Sequence, residues 1–190
     1  NPNLVIDPNI SDERGYTLDL GVRGQVSDMI SWDAPAFYLR YNDKIGEVLR
    51  SDEAPLYLPY RYRTNIADAY TAGIEAVTDI DLTAMFWRGF GLPAIHWIIN
   101  GTVLQGEYLS SDDPSIDGNA VEYVPSYVLR TGLNVKEGGF RISLLFSFIG
   151  KQFSDASNAE YTASAVSGSI PAYSVADITV GYTFGAISVD

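Results

Sequence analysis

Hydrophobic and polar residues alternate along most of this chain, and the alternation predicts strands. The stretch from Arg63 to Glu75 organises the pattern. It begins polar and charged, then sets Ala72, Ile74 and Ala76 against Thr71, Gly73 and Glu75. Side chains of a strand repeat every two residues, so this order gives one apolar and one polar face. Five further stretches behave alike. Tyr16, Leu18, Leu20 and Val22 oppose Thr17, Asp19, Gly21 and Arg23, and Phe37, Leu39 and Tyr41 oppose Tyr38, Arg40, Asn42 and Lys44. A strand from Ile95 to Leu109 loses the alternation, since Leu104 shares a face with Asn100. Tyr127, Leu129, Leu133 and Val135 oppose Arg130, Gly132, Asn134 and Lys136; Phe140, Ile142, Leu144, Phe146 and Phe148 oppose Arg141, Ser143, Ser147 and Lys151. The last strand sets Ile178, Val180, Tyr182 and Phe184 against Asp177, Thr179, Gly181 and Thr183.

The connections have their own rhythm. Asn1–Arg14 reads as a loop rich in Asn, Pro and Asp. Val26–Ser31 and Glu137-Gly138-Gly139 are short, the latter a hairpin turn. Gly46–Arg63, Ser110–Val124 and Gln152–Ile170 are long and polar. Asp79–Pro93, apolar but aperiodic, reads as an irregular connection too long for its side. Strands of roughly nine residues or more suit a tilted crossing of a bilayer, and soluble strands average nearer five or six. Short turns at one end and long loops at the other are the habit of outer-membrane barrels. A soluble β-sandwich, with its apolar face against a second sheet, remains the alternative at this point.

Composition narrows the choice. The 190 residues make one domain spanning 1–190, and 46% are hydrophobic, so disorder is excluded as the main state. Aromatics reach 13%, with 13 tyrosines; Tyr16, Tyr41, Tyr127, Tyr173 and Phe184, near strand ends, suit an interfacial girdle. Twelve basic against 24 acidic residues give a net charge of −12, which argues against nucleic acid. There is no cysteine, so no disulfide and no thiolate metal site. No apolar run approaches the length of a transmembrane helix. Residues 1–15 are not a signal peptide, and without an initiator Met the chain opens as if in mid-loop.

Chemistry-bearing motifs are weak. His96 is the single histidine, which argues against a zinc site, a Ser-His-Asp triad and enzymatic activity generally. Asp113-Pro114-Ser115-Ile116-Asp117-Gly118 starts like a calcium loop, but Val124 stands where the closing Glu belongs; a solvated turn is expected. Asn100-Gly101-Thr102 is a sequon within a strand, and Gly89-Phe90-Gly91 lacks the context of a dinucleotide site.

Asn65-Ile66-Ala67-Asp68-Ala69 followed by Gly73-Ile74-Glu75 resembles a recurring pattern of TonB-dependent outer-membrane receptors, with Ala67 where Gly is usual. Asn1-Pro2-Asn3-Leu4, Glu13 and the run Tyr16–Gly24 are similar to another of their segments, and Phe37–Ile45 to the strand that follows. Val124-Pro125-Ser126-Tyr127 and Ile170-Pro171-Ala172-Tyr173 resemble later loop-to-strand entries. Phe153-Ser154-Asp155 and Gly168-Ser169-Ile170-Pro171 are closest to the ferric-dicitrate receptors. The resemblance implies an all-β, antiparallel transmembrane barrel segment, about seven strands of a roughly 22-stranded barrel. It implies a fragment without the plug and the final strands. Expected function is outer-membrane uptake of a ferric chelate, citrate or siderophore, energised by TonB through the missing plug, in a Gram-negative bacterium. The partners are then the chelate, TonB and the bilayer, and no cofactor is expected. A related barrel importing glycans or cobalamin, or a passive porin, is the alternative within the class. Arg50, Arg61 and Arg63 are the candidate ligand-binding residues of one outer loop, with Asp52 and Glu53 as possible surface partners. Asp19, Arg23, Arg40, Glu75, Arg130 and Arg141 are expected to face the lumen, and Ile74 the lipid.

Overall fold

The computed structural model describes residues 4–50, 55–161, 168–185 and 187–189. One twisted sheet dominates it, in the order β11-β10-β7-β6-β5-β4-β3-β2, a meander in which each long strand pairs antiparallel with its sequence neighbour. The strands are β1 (Leu4–Ile6), β2 (Arg14–Val26), β3 (Ile30–Arg50), β4 (Tyr60–Asp81), β5 (Ala94–Ser111), β6 (Tyr127–Glu137), β7 (Phe140–Ile149), β10 (Tyr173–Phe184) and β11 (Ile187–Val189). A two-stranded hairpin, β8 (Gln152–Phe153) with β9 (Ser169–Ile170), and one helix, α1 (Leu82–Phe86), complete it.

All seven expected strands are present, and an eighth begins at β11. Strand β3 has 21 residues and β4 has 22, about twice the 9–11 that a tilted crossing needs. Half of Gly46–Arg63, expected as loop, is therefore strand: β3 runs to Arg50 and β4 starts at Tyr60. Strand ends of four or five residues, with Pro55 and Pro59 between them, are too short for periodicity to register. Asn1–Arg14 likewise holds β1, which pairs parallel with β4, Val5 opposite Tyr62, on the edge that β5 leaves beyond Ser111. In Asp79–Pro93, β4 continues to Asp81, whose carboxylate accepts from the Ala84 amide and caps α1. Ser27, at φ 53°, and Gly138, at φ 55°, turn the two tight connections.

Directly opposed residues share a face, so the register fixes the sidedness of the sheet. Leu20, Ala36, Ile74, Val103 and Tyr127 form one row across five strands. Leu133, Leu144 and Ile178 continue that face. Among the described residues nothing covers it: Leu20, Ile74, Val103 and Ile178 are 62–77% exposed. The other face carries the row Arg23, Asp33, Val77, Asn100 and Arg130. Asp19, Glu75 and Arg141 lie on it too, as expected.

Arg40 does not. It stands between Tyr16 and Tyr70 on the apolar face, while Phe37, facing Asp19 and Gly73, and Leu39, facing Thr17 and Thr71, lie on the polar one. The sidedness of this strand is thus the reverse of that expected. Both of its faces carry large apolar residues, and the choice between them belongs to the neighbours' register. Arg40 is accommodated at the upper end by Asp68, 2.8 Å away, above the ring contacts Tyr16–Tyr38–Tyr70.

Candidate functional site

The buried core is small and eccentric. Ile66, Ala67, Ala69 and Tyr108 of the sheet meet Ile116, Val121 and Ala156 of the two long loops that return over it, with Tyr41, Val48 and Val124 at the margin. It lies on the polar face, at the long-loop end. The position of Gly106 shows this: a Cβ there would meet Val121 and Val124 as well as Thr71, which is on the Glu75 side. Tyr108, fully buried, donates its hydroxyl to Glu122, and Glu122 also pairs with Lys44 at 3.3 Å. Asn119 and Asn158 tie the loops together, Nδ2 of Asn119 donating to the Ala156 carbonyl at 2.9 Å and Oδ1 of Asn158 accepting from the Ala120 amide at 2.6 Å. Apolar residues punctuating otherwise polar loops, Ile116 and Val121 above all, were the available signal for this lining.

Register shifts at Tyr41/Lys44 and Lys44/Ile45 put bulges in both β3 and β4 beside this core. Asp43 sits at φ 54°; its amide donates to Asp68 at 3.1 Å and its carbonyl accepts from Asn65 Nδ2 at 2.6 Å. Asn65 also holds the segment after β1, accepting from the Ser11 amide at 2.8 Å.

The three arginines sit on the extended strand ends and not in a loop. Arg61 and Arg63 alternate with Tyr62 and share a face with Glu47, which pairs with Arg63 in register and bonds Arg61 at 3.2 Å. With Glu122, Tyr123 and Ser154 they line a cavity of about 270 Å3. Arg50 is on the opposite face. Its guanidinium lies 3.8 Å from the Tyr62 ring centroid, in a second cavity of about 480 Å3 with Asp7, Thr64 and Asp112. Asp52 and Glu53, the expected partners, lie outside the described residues.

Thr64 Oγ1 donates to Asp7 at 2.6 Å. That bond, and next the Asn9 amide, hold the Asp7 carboxyl below the usual carboxylate range. A depressed pKa stabilises the folded state above the unfolded pKa and loses that contribution as pH falls through the folded one. The Leu4–Asp7 segment should therefore loosen below about pH 4. Hydrogen exchange at Val5 and Ile6, corrected for intrinsic rate, should be faster there than at pH 6, and Asp7→Asn should erase the difference.

The remaining motifs are structural. Asp113 Oδ1 accepts from the Ser115 amide at 3.0 Å and its hydroxyl at 2.7 Å, closing a turn of the expected kind. The Ser115 hydroxyl first, then its amide, lowers the Asp113 pKa. His96 Nδ1 lies 2.8 Å from Asp79. Gly89 and Gly91 adopt φ of 89° and 70° in an open turn. Among the described residues no group of three or more His, Cys, Asp or Glu could hold a metal ion.

Solved structures share this architecture. The unliganded ferric citrate transporter FecA superposes with a TM-score of 0.70 at 20% identity, covering 91% of this chain and 24% of that one. The ferric yersiniabactin uptake receptor FyuA from Yersinia pestis gives 0.60 at 21% identity, over 90% and 22%. The copper transporter OprC gives 0.66 at 18%, over 92% and 24%. The chain thus spans about a quarter of the length of the structures it matches. Comparison with curated protein sequences gave no match. The family described as TonB dependent receptor-like, beta-barrel matches residues 1–190 in full. A meander with one uncovered apolar face, short turns at one end and loops folded over the polar face at the other is what that family's barrel wall requires. The chain belongs to the TonB-dependent receptor β-barrel family.

Proposed function

We propose that this chain builds part of the wall and outer mouth of a receptor that takes up an anionic ferric chelate across the outer membrane, driven through TonB by a plug carried elsewhere in the protein. The pairing of Arg61 and Arg63 carries this reading. Two guanidinium forks project from one face of β4 into a cavity roofed by Tyr123 and Ser154 of the returning loops. Such forks match carboxylate oxygens in pairs. The Glu47 that engages Arg61 is about as exposed as Arg61 itself, and exposed pairs are weak enough for a multiply charged ligand to displace. The named neighbours lend the cargo class: FecA is a ferric citrate transporter and FyuA takes up ferric yersiniabactin.

The test is chelate affinity of the full-length receptor with Arg61→Ala and Arg63→Ala combined. Hydrogen bonds to charged groups are worth about 1.5–3 kcal/mol each. Ferric citrate binding should weaken by at least about tenfold, with Arg→Lys intermediate. An unchanged dissociation constant would remove the arginine pair from the ligand path.

A further inference from the structure

The connection between β4 and β5 is not used by the barrel wall. It runs from α1 through an open turn to Pro93 and exposes Phe86, Trp87, Phe90 and Leu92, with Phe86 at 63% and Phe90 at 75%. Its stem is fixed. Asp81 caps α1, and Thr83 Oγ1 donates to the Pro93 carbonyl at 2.6 Å and accepts from the Ile95 amide at 2.9 Å. Its tip is open around the two glycines: a Cβ on Gly89 or Gly91 would meet nothing within 4 Å. Phe86 and Trp87 pack edge to face, ring centroids 5.8 Å apart. A solvated turn of this length has no physical reason to carry three aromatics and a leucine.

The level at which it sits supplies the reason. The chain has three tryptophans. Trp32, opposite Thr78, and Trp97, opposite Ile80, are on the apolar face in the last rows before the short turns, and Trp87 is in the connection itself. Phe140 against Tyr182, 5.4 Å apart, continues the same rim at the β7–β10 side. Tryptophan and tyrosine concentrate where hydrocarbon gives way to headgroups. Arg88, joined to Asp28 at 3.0 Å across the rim, adds a polar clasp at that depth.

We propose that residues 82–93 form an interfacial anchor whose Phe86, Trp87 and Phe90 rings insert into the phospholipid headgroup layer on the short-turn side of the membrane. The proposal rests on the barrel reading, since it continues the apolar face as the lipid-facing surface. A buried aromatic tip would hold the β4–β5 hairpin at a set depth, as apolar faces of interfacial helices do.

Spin labels test it in the full-length receptor reconstituted into phosphatidylethanolamine–phosphatidylglycerol vesicles. This chain contains no cysteine, so Phe90→Cys, Val103→Cys and Asp117→Cys each add a single site to it. Oxygen, which enters lipid, and a water-soluble nickel chelate report depth. The Phe90 label should favour oxygen severalfold more than the Asp117 label in the outer loop, and less than the Val103 label on the apolar face. A Phe90 label as open to nickel as the Asp117 one, or shielded from both reagents, overturns the anchor while Val103 in lipid keeps the barrel. A Val103 label outside lipid overturns both.

Discussion

Ile74→Lys is expected to cost about 2–4 kcal/mol of folding free energy in lipid vesicles, the penalty of a cation at mid-depth on the outer face of a barrel. Ile74 occupies the middle of the row from Leu20 to Tyr127 and is 62% exposed. Its neighbour Glu75 is also exposed but points the other way, opposite Thr102. Glu75→Lys should therefore stay within about 0.5 kcal/mol of the parent, as substitutions at wetted positions do. Urea titration of the full-length protein refolded into vesicles measures both. The difference between adjacent positions carries the meaning, because the two variants gain the same side chain on the same strand. In a sheet wetted on both faces neither lysine would cost more than about 0.5 kcal/mol. Equal costs for the two lysines would mean that the Leu20–Tyr127 row does not meet hydrocarbon.

Tyr108→Ala is expected to leave the barrel wall intact and to free both long loops. The ring is fully buried against Ala69 and the loop residues, and its hydroxyl is bound by Glu122. Truncating a buried aromatic to alanine costs about 3–5 kcal/mol. Here the loss falls on the loop nucleus, since the β4–β5 backbone ladder continues past Tyr108 without its side chain. Limited proteolysis on whole cells should show new cleavage in residues 112–124 and 155–161, while resistance of the wall to heat in detergent changes little. Tyr108→Phe, which loses only the bond to Glu122, should cost about 1.5–3 kcal/mol. Loops as protease-resistant in Tyr108→Ala as in the parent would show that they are held by something other than this core.

The strands that sequence alternation located well are those with plainly polar inner positions. Strand β2 alternates Thr17, Asp19, Gly21 and Arg23 with apolar residues, and β10 does the same with Asp177, Thr179 and Gly181; one wet and one dry face leave no ambiguity. Strand β3 fails for a physical reason. Phe37 packs over Gly73 and Tyr41 reaches the loop core, so its inner face is also apolar, and the pattern inverts without any signal in the local sequence. The upper ends of β3 and β4 escaped because Gly46–Arg50 and Tyr60–Arg63 are each too short for alternation to register, with Pro55 and Pro59 between them. Of the arginine set, the residues were visible but not their division. Arg50 parts from Arg61 and Arg63 only because strand continues through positions 50 and 61, and a change of one in register exchanges faces. The loop core could not be read from spacing, because Ile116, Val121 and Ala156 come together with Ile66 only after two separate loops have folded back.

That shared nucleus has a consequence for how such receptors diversify. Val121 leans on Gly106 and lies in one nucleus with Ala156, and Asn158 clasps Ala120, so neither loop owns its interior. Transplanting a single loop into another barrel would strand half of a hydrophobic contact in water. The exchangeable unit at this end of the sheet is the pair of loops together with the bulged tops of β3 and β4, and a replacement that respects that unit leaves the wall undisturbed.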